Sequence, residues 1–437
     1  MRLLFILLLA YPLGYLLRYI RGKWVRHIYS IVIGVVLQVF MFKEGVLHFW
    51  GLGIVVYSII TFVDRKKQPW IVFVVCLAHL SFMHIYRMLF DYGNWSLDET
   101  TFLMPLISRL SSLGFVYADG AKDDKLLTKD QIERKVTTKP TIIEILSYIS
   151  FPCACICGPF FEFRDYIDYI EGKGRYEKIP SCFTFLSKKL IEVLILLAFA
   201  LVVPTYFKID QLGTEWLYSK PLIFQYIYFM LTMFGYRTTY YVAWAVNDGA
   251  ICLSGLSFSR VTKEGEAKFD KIISANAYEL ETCTVPREGI KHWNCMTAEW
   301  LRHYVYERIR PKDGKDPTLA TIGTNLVSAF WHGFYPVYYN TFFFLAIVSE
   351  IGKDVFRLKH LFTFIPFSIN PILRNLLVMT SLNYLCSGMG ILEMKKAYAY
   401  YKMYYFYWHI VLIVSFIGLR FFLLPKFKQK KNKSKQE

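Results

Sequence analysis

Apolar stretches separated by short polar loops recur along nearly the whole chain. They fall near residues 3–20, 27–42, 45–63, 70–90, 101–118, 141–161, 189–207, 222–246, 319–350, 372–392 and 403–424. A helix needs roughly 20 apolar residues to cross about 30 Å of hydrocarbon, and most of these stretches supply them. The pattern predicts an all-α polytopic membrane protein with about 11 transmembrane helices. Beyond residue 160 the apolar runs carry Pro and Gly, which suits re-entrant or interfacial helices as well as simple spans. The first run lacks a basic leader and a small-residue cleavage site, so it reads as a retained helix.

Two stretches break the pattern. Residues 119–140 are densely charged with mixed signs, as expected of a cytosolic loop, and residues 258–318 form a long polar insert carrying several aromatics. An insert of that kind between apolar runs seldom serves only as a tether. Arg18, Arg21, Lys23 and Arg26 follow the first run, and Arg65, Lys66 and Lys67 follow the third. Only Lys43-Glu44 lies between them, and the loop from Asp91 to Thr100 is acidic. The alternation places the first basic loop in the cytoplasm and the N-terminus on the other side. The reading is one membrane-embedded domain over 1–425 and a basic cytosolic tail over 426–437.

Composition agrees. Hydrophobic residues make up 55% of 437 positions and charged residues only 19%, which excludes disorder, collagen-like sequence and a small disulfide scaffold. The net charge of +17 would suggest nucleic acid in a soluble chain. Here it reads as basic loops facing anionic lipid, with a share left for a phosphorylated substrate. Lys435 and Lys433, third and fifth from the end, resemble a dilysine retrieval signal and point to the endoplasmic reticulum membrane. Helix interfaces and lipid faces share a composition, so no oligomeric state is read.

Candidate chemistry is sparse. Cys153, Cys155 and Cys157 alternate within an apolar stretch and read as core thiols, not as a metal site. No Gly-rich phosphate loop, zinc motif or serine-hydrolase elbow is present, and no metal is expected. His79 and His84 read as structural hydrogen bonders. His27, His48, His292, His303 and His360 fall at run edges or in loops, and His409 near the start of the last run suits an interface. His332 differs, because it lies in an apolar segment beside Trp331 and Gly333, ahead of Pro336 and Tyr338-Tyr339. Gly and Pro let the backbone break next to the imidazole, and broken backbone in a membrane lines cavities. Upstream, Trp293, Thr297, Trp300 and Tyr304 are spaced by four, three and four, which predicts one helical face with Asn294 beside it. An amphipathic interfacial helix fits the same spacing. Cys295 has no activating neighbour in the sequence and is set aside.

These residues resemble the membrane-bound O-acyltransferase family, in its lysophospholipid acyltransferase branch. The match rests on Trp293-Asn294 with Thr297 and Trp300-Leu301, then Trp331-His332-Gly333 with Pro336 and Tyr338-Tyr339. Further stretches agree in order: Trp95 and Asp98, Met104, Ser111-Ser112 and Asp119-Gly120; Glu144 to Tyr166; Arg237 with Tyr240-Tyr241 and Trp244; Leu382-Asn383-Tyr384. Val337 departs, since the branch commonly has Gly there. The resemblance implies a multi-helix bundle around a central catalytic chamber, with His332 and Asn294 as the catalytic pair. It implies acyl-CoA as co-substrate, with no bound cofactor, and a lysophospholipid as acceptor. Trp293, Trp300, Arg237, Tyr240, Arg302, Trp331, Tyr338 and Tyr339 are the implied substrate-binding residues. Arg308, Arg310, Lys312 and Lys315 are further candidates for CoA phosphates, because guanidinium and ammonium groups suit them. An imidazole ordinarily titrates near 6.5, so it is largely neutral at cellular pH and able to accept the hydroxyl proton. A sterol, diacylglycerol or protein acceptor, and a transporter in which both residues line a path, are the competing readings. No internal repeat supports the transporter.

Overall fold

A computed structural model describes residues 2–94, 98–311, 316–358 and 370–427. The structure is 76% helical. Among the described residues the strands are limited to a hairpin in the polar insert, where Arg260 pairs with Lys268 and Val261 with Ala267. This is an all-α membrane protein. Five described helical stretches are long and apolar enough to span by length and composition: Lys23–Phe62, Gln68–Phe90, Glu99–Asp119, Phe183–Gln211 and Tyr407–Phe427. Helix Phe183–Tyr206 turns Ile191, Leu194 and Ile195 outward, as a helix solvated by lipid does.

Several apolar runs are not single helices. The run at 141–161 is helical only over Ile142–Ile149, and that at 319–350 divides into Thr318–His332 and Pro336–Arg357. The last run is entered through Met394–Met403, and Tyr407–Ile417 follows after left-handed Tyr405 and Phe406. Hydropathy alone does not see these breaks, because the linking residues are as apolar as the helices. Trp95, Lys312, Lys315, His360 and the tail beyond Phe427, which the sequence singled out, lie outside the described residues.

The chain packs as two compact units. The first comprises Met1–Ala198, Thr239–Ala275 and Asn294–Trp300, and the second Phe199–Thr238, Asn276–Trp293 and Leu301–Glu437. In the first, helix Glu99–Asp119 is the buried centre. Its N-terminus is capped by Asp98, whose carboxylate accepts from the N–H groups of Thr100 and Thr101, two of the donors a helix start leaves open.

After Ile149 the chain runs without helix to Phe163, although Phe151, Phe160 and Phe161 are almost fully buried. Irregular backbone survives at this depth only where other groups take up its polar atoms. Arg109, 2% exposed, donates to the carbonyls of Tyr148 (3.4 Å) and Ala154 (2.9 Å). Gln38 reaches those of Ile149 and Cys155, each at 3.4 Å. Gly34 lets the neighbouring helix approach the segment closely. A Cβ there would lie 1.9 Å from the Ser150 carbonyl oxygen, too close for either backbone to absorb. Gly34→Ala is expected to lower the thermal midpoint and the yield of folded protein. Gly51→Ala is the control, since an added Cβ there meets nothing within 4 Å; equal midpoints for the two variants would refute the close-approach argument.

Candidate active site

Helix Thr318–His332 ends on its histidine. Gly333 leaves the helix at φ +120°, a conformation that only glycine adopts without strain, and its N–H reaches back to the carbonyls of Ala329 (3.2 Å) and Phe330 (3.1 Å). Pro336 opens the next helix at its first turn, where a missing N–H costs nothing. The expected break beside the imidazole is therefore a full stop and restart. Half-buried His332 sits among aromatic rings: Trp331 at 5.0 Å and 87°, Tyr338 at 5.5 Å and 42°, and Phe342 stacked at 5.0 Å and 26°. Rings packed on its faces fix the imidazole plane, and with it the directions of the edge nitrogens. Phe342 was not legible as a partner, because only the turn at 333–335 carries it back to His332.

Trp331 and Tyr338 are buried and Tyr339 is half-buried. Val337, the departure from the branch pattern, packs against Gly388. A Cβ on that glycine would lie 3.5 Å from the Val337 Cβ and 2.8 Å from the Tyr401 hydroxyl, so Gly388 leaves the room that Val337 occupies. His409 packs against neighbouring helices. It is buried, its ring nitrogens lying 3.1 Å from the Tyr384 hydroxyl and 3.3 Å from the Asn340 amide, with Phe344 edge-on at 4.5 Å. His27 and His303 are likewise more than loop residues. Both are buried, with His27 2.6 Å from the Ser147 hydroxyl and His303 3.3 Å from Glu307.

The predicted single face of Trp293, Thr297, Trp300 and Tyr304 needs correction. Helix Pro286–His292 ends before Trp293, which is extended, and Asn294 takes a left-handed φ of +45°. The helix restarts at Cys295 and passes into a π-turn over Arg302–Tyr306. Trp293 is therefore off the helix, while Thr297, Trp300 and Tyr304 remain among its buried residues. Asparagine is among the few side chains that accept a left-handed backbone readily, and the Asn294 carbonyl receives the Ala298 N–H at 3.0 Å. Trp300 is fully buried. Its indole N–H donates to Ser111 at 3.0 Å, and its ring stacks on Phe73 at 6.2 Å, which anchors the helix that begins after Asn294. Asn294 belongs to the first unit and His332 to the second.

The Arg237 guanidinium is buried and bidentate to Glu281 (2.7 and 2.8 Å), and it also donates to Asn383. Tyr240 is half-buried beside Trp244 at 5.7 Å. Arg302 is exposed and reaches Glu307 at 3.2 Å, while Arg308 lies over Tyr304. Cys153 and Cys155 are buried, Cys157 is half-buried, and all three are unbridged, in keeping with core thiols.

Helices interrupted at an asparagine in the first unit and at a histidine in the second, in a chain of apolar helices, define the class: a membrane-embedded protein with polar side chains at two helix breaks. The model of the membrane-bound O-acyltransferase family matches residues 89–389, a span holding both positions. The chain belongs to that family. It is 30% identical over 426 residues to lysophospholipid acyltransferase 6 of Drosophila melanogaster, covering 92% of this chain and 57% of that relative. It is 28% identical over 434 residues to a lysophospholipid acyltransferase of Schizosaccharomyces pombe, covering 95% and 85%. Human membrane-bound glycerophospholipid O-acyltransferase 1 is 27% identical over 421 residues, covering 91% and 83%. The chain thus spans rather more than half the length of the fly protein and most of the other two.

Proposed function

We propose that this O-acyltransferase is a lysophospholipid acyltransferase that takes its acyl group from acyl-CoA and delivers it to the free hydroxyl of a lysophospholipid, at sn-2, in phospholipid remodelling. The observation that carries the reading is His332 at a helix end, ring-clamped and followed by a Gly–Pro break, in a chain whose relatives bear that activity in their names. The His332 imidazole takes the acceptor hydroxyl proton as the oxygen attacks the thioester carbonyl. Asn294 orients a substrate or donates its amide N–H to the oxyanion that develops. Collapse of the tetrahedral intermediate expels the CoA thiolate, which receives the proton held on His332. The balance needs no covalent acyl-enzyme, bound cofactor or metal.

The same proposal places the pair in a central chamber within about 11 spans, in the endoplasmic reticulum membrane. The aromatic groups Trp293, Trp331, Tyr240, Tyr338 and Tyr339 flank the lipid and acyl chains. Exposed Arg302 is suited to CoA phosphate. Arg237, already bidentate to Glu281, would hold an anion only by releasing that carboxylate. The test is a matrix of labelled acyl-CoAs against lysophospholipids, sterol, diacylglycerol and an acceptor peptide, using purified protein. Labelled diacyl phospholipid is the expected product. Transfer confined to another acceptor, or substrate movement into vesicles without transfer, overturns the reading.

A further inference from the structure

Helix Leu222–Ser254 carries a carboxylate, Asp248, that is 2% exposed. A buried carboxylate is costly unless hydrogen bonds replace its water. Here they come from Ser274: its N–H lies 2.9 Å from Oδ2 and 3.2 Å from Oδ1, and its hydroxyl 2.6 Å from Oδ1. Main-chain and side-chain donors of one residue are thereby gripped by one carboxylate, which fixes the Ser274 backbone as well as its side chain. Ser274 is itself buried and passes its carbonyl to the N–H of Cys295 at 2.7 Å. That N–H is among the open donors of the helix start, and it belongs to the residue directly after left-handed Asn294. Asparagine tolerates that region, and the bond from the Cys295 N–H to the Ser274 carbonyl ties down the main chain beside it. All four residues lie in one compact unit.

We propose that Asp248 is a positioning residue for acyl transfer: acting through Ser274, it fixes the main chain at Asn294–Cys295 so that the Asn294 carboxamide is presented to the reacting groups at a set angle. The inference rests on the reading of Asn294 as part of the catalytic pair. Asp248 touches no substrate. Its contribution is the placement of a group whose displacement by about 1 Å is worth about 10²-fold in rate.

The test uses the purified full chain with D248N, S274A, N294A and the wild type. D248N keeps the size of the side chain but turns an amide donor toward a site built from donors, whereas S274A removes only the hydroxyl bond and keeps both main-chain ones. For D248N, kcat is expected to fall about 10–100-fold with KM for both substrates within about twofold. S274A is expected to show a smaller fall in the same direction. Alkylation of Cys295, mapped by mass spectrometry, should quicken several-fold in D248N. Cys252, fully buried on the same helix as Asp248, should remain protected, and the thermal midpoint should hold. Wild-type kcat in D248N overturns the inference. So does a kcat loss that arrives with a fallen midpoint and a reactive Cys252, because the helix has then simply loosened. If N294A is depressed and D248N is not, the positioning role alone fails. If N294A keeps wild-type activity, the Asn294 reading fails and takes this inference with it.

Discussion

His332→Ala is expected to lower acyl transfer by about 10²–10⁴-fold, the usual worth of a positioned general base, with the protein still folded. The acceptor is an alcohol, which is a poor nucleophile until its proton has somewhere to go, and the imidazole is the group proposed to take it. The loss should fall on kcat, because the proton moves in the transition state and not on binding. Removing the ring also leaves Phe342 and Tyr338 without the face they pack on. His332→Gln therefore accompanies it, keeping bulk and polarity without a comparable base. Turnover is measured under saturating labelled acyl-CoA and lysophospholipid, with thermal midpoints read in the same detergent. If either variant retains more than half the wild-type rate, His332 is not the base.

Arg109→Met is expected to give the largest loss of stability of any single side-chain change in the first unit. Methionine fills similar space and removes an expensive buried charge, a kind of change that is often harmless. The outcome differs here because the guanidinium serves two main-chain carbonyls, Tyr148 and Ala154, at the end of a helix and in the non-helical segment after it. A buried carbonyl left without a donor costs about 1–3 kcal/mol, so two orphaned groups cost roughly 2–6 kcal/mol, much of a typical domain's margin. Gln38→Leu should cost less, since its two bonds are long at 3.4 Å. Thermal unfolding in detergent, with folded yield by size-exclusion chromatography, ranks the variants. A midpoint for Arg109→Met equal to wild type would show that the carbonyls find other donors.

Arg109 also shows why part of the architecture was not legible. It stands in an apolar run, and the sequence shows a charge without showing that its partners lie 39 and 45 residues away. The segment it supports looked like a span, because hydropathy scores Phe151 to Phe161 as readily as a helix. Trp293 was misplaced for a related reason. A spacing of four, three and four matches a helical face whether or not the backbone is helical, and left-handed Asn294 breaks the helix inside the pattern. His409 was read from its place at the edge of an apolar run, while its burial depends on Tyr384 and Asn340 on other helices.

The sequence by itself determined the solvent and the chemistry: 55% apolar residues require lipid around helices, and the context of Asn294 and His332 named the family. These are local properties, written in side-chain type and spacing. Tertiary structure decided where helices stop inside apolar runs, which rings clamp His332, and that Asp248 and Ser274 stand behind Asn294. Each depends on which distant donor meets which carbonyl or carboxylate in a medium without water to substitute. That pairing exists only once the chain has folded back on itself.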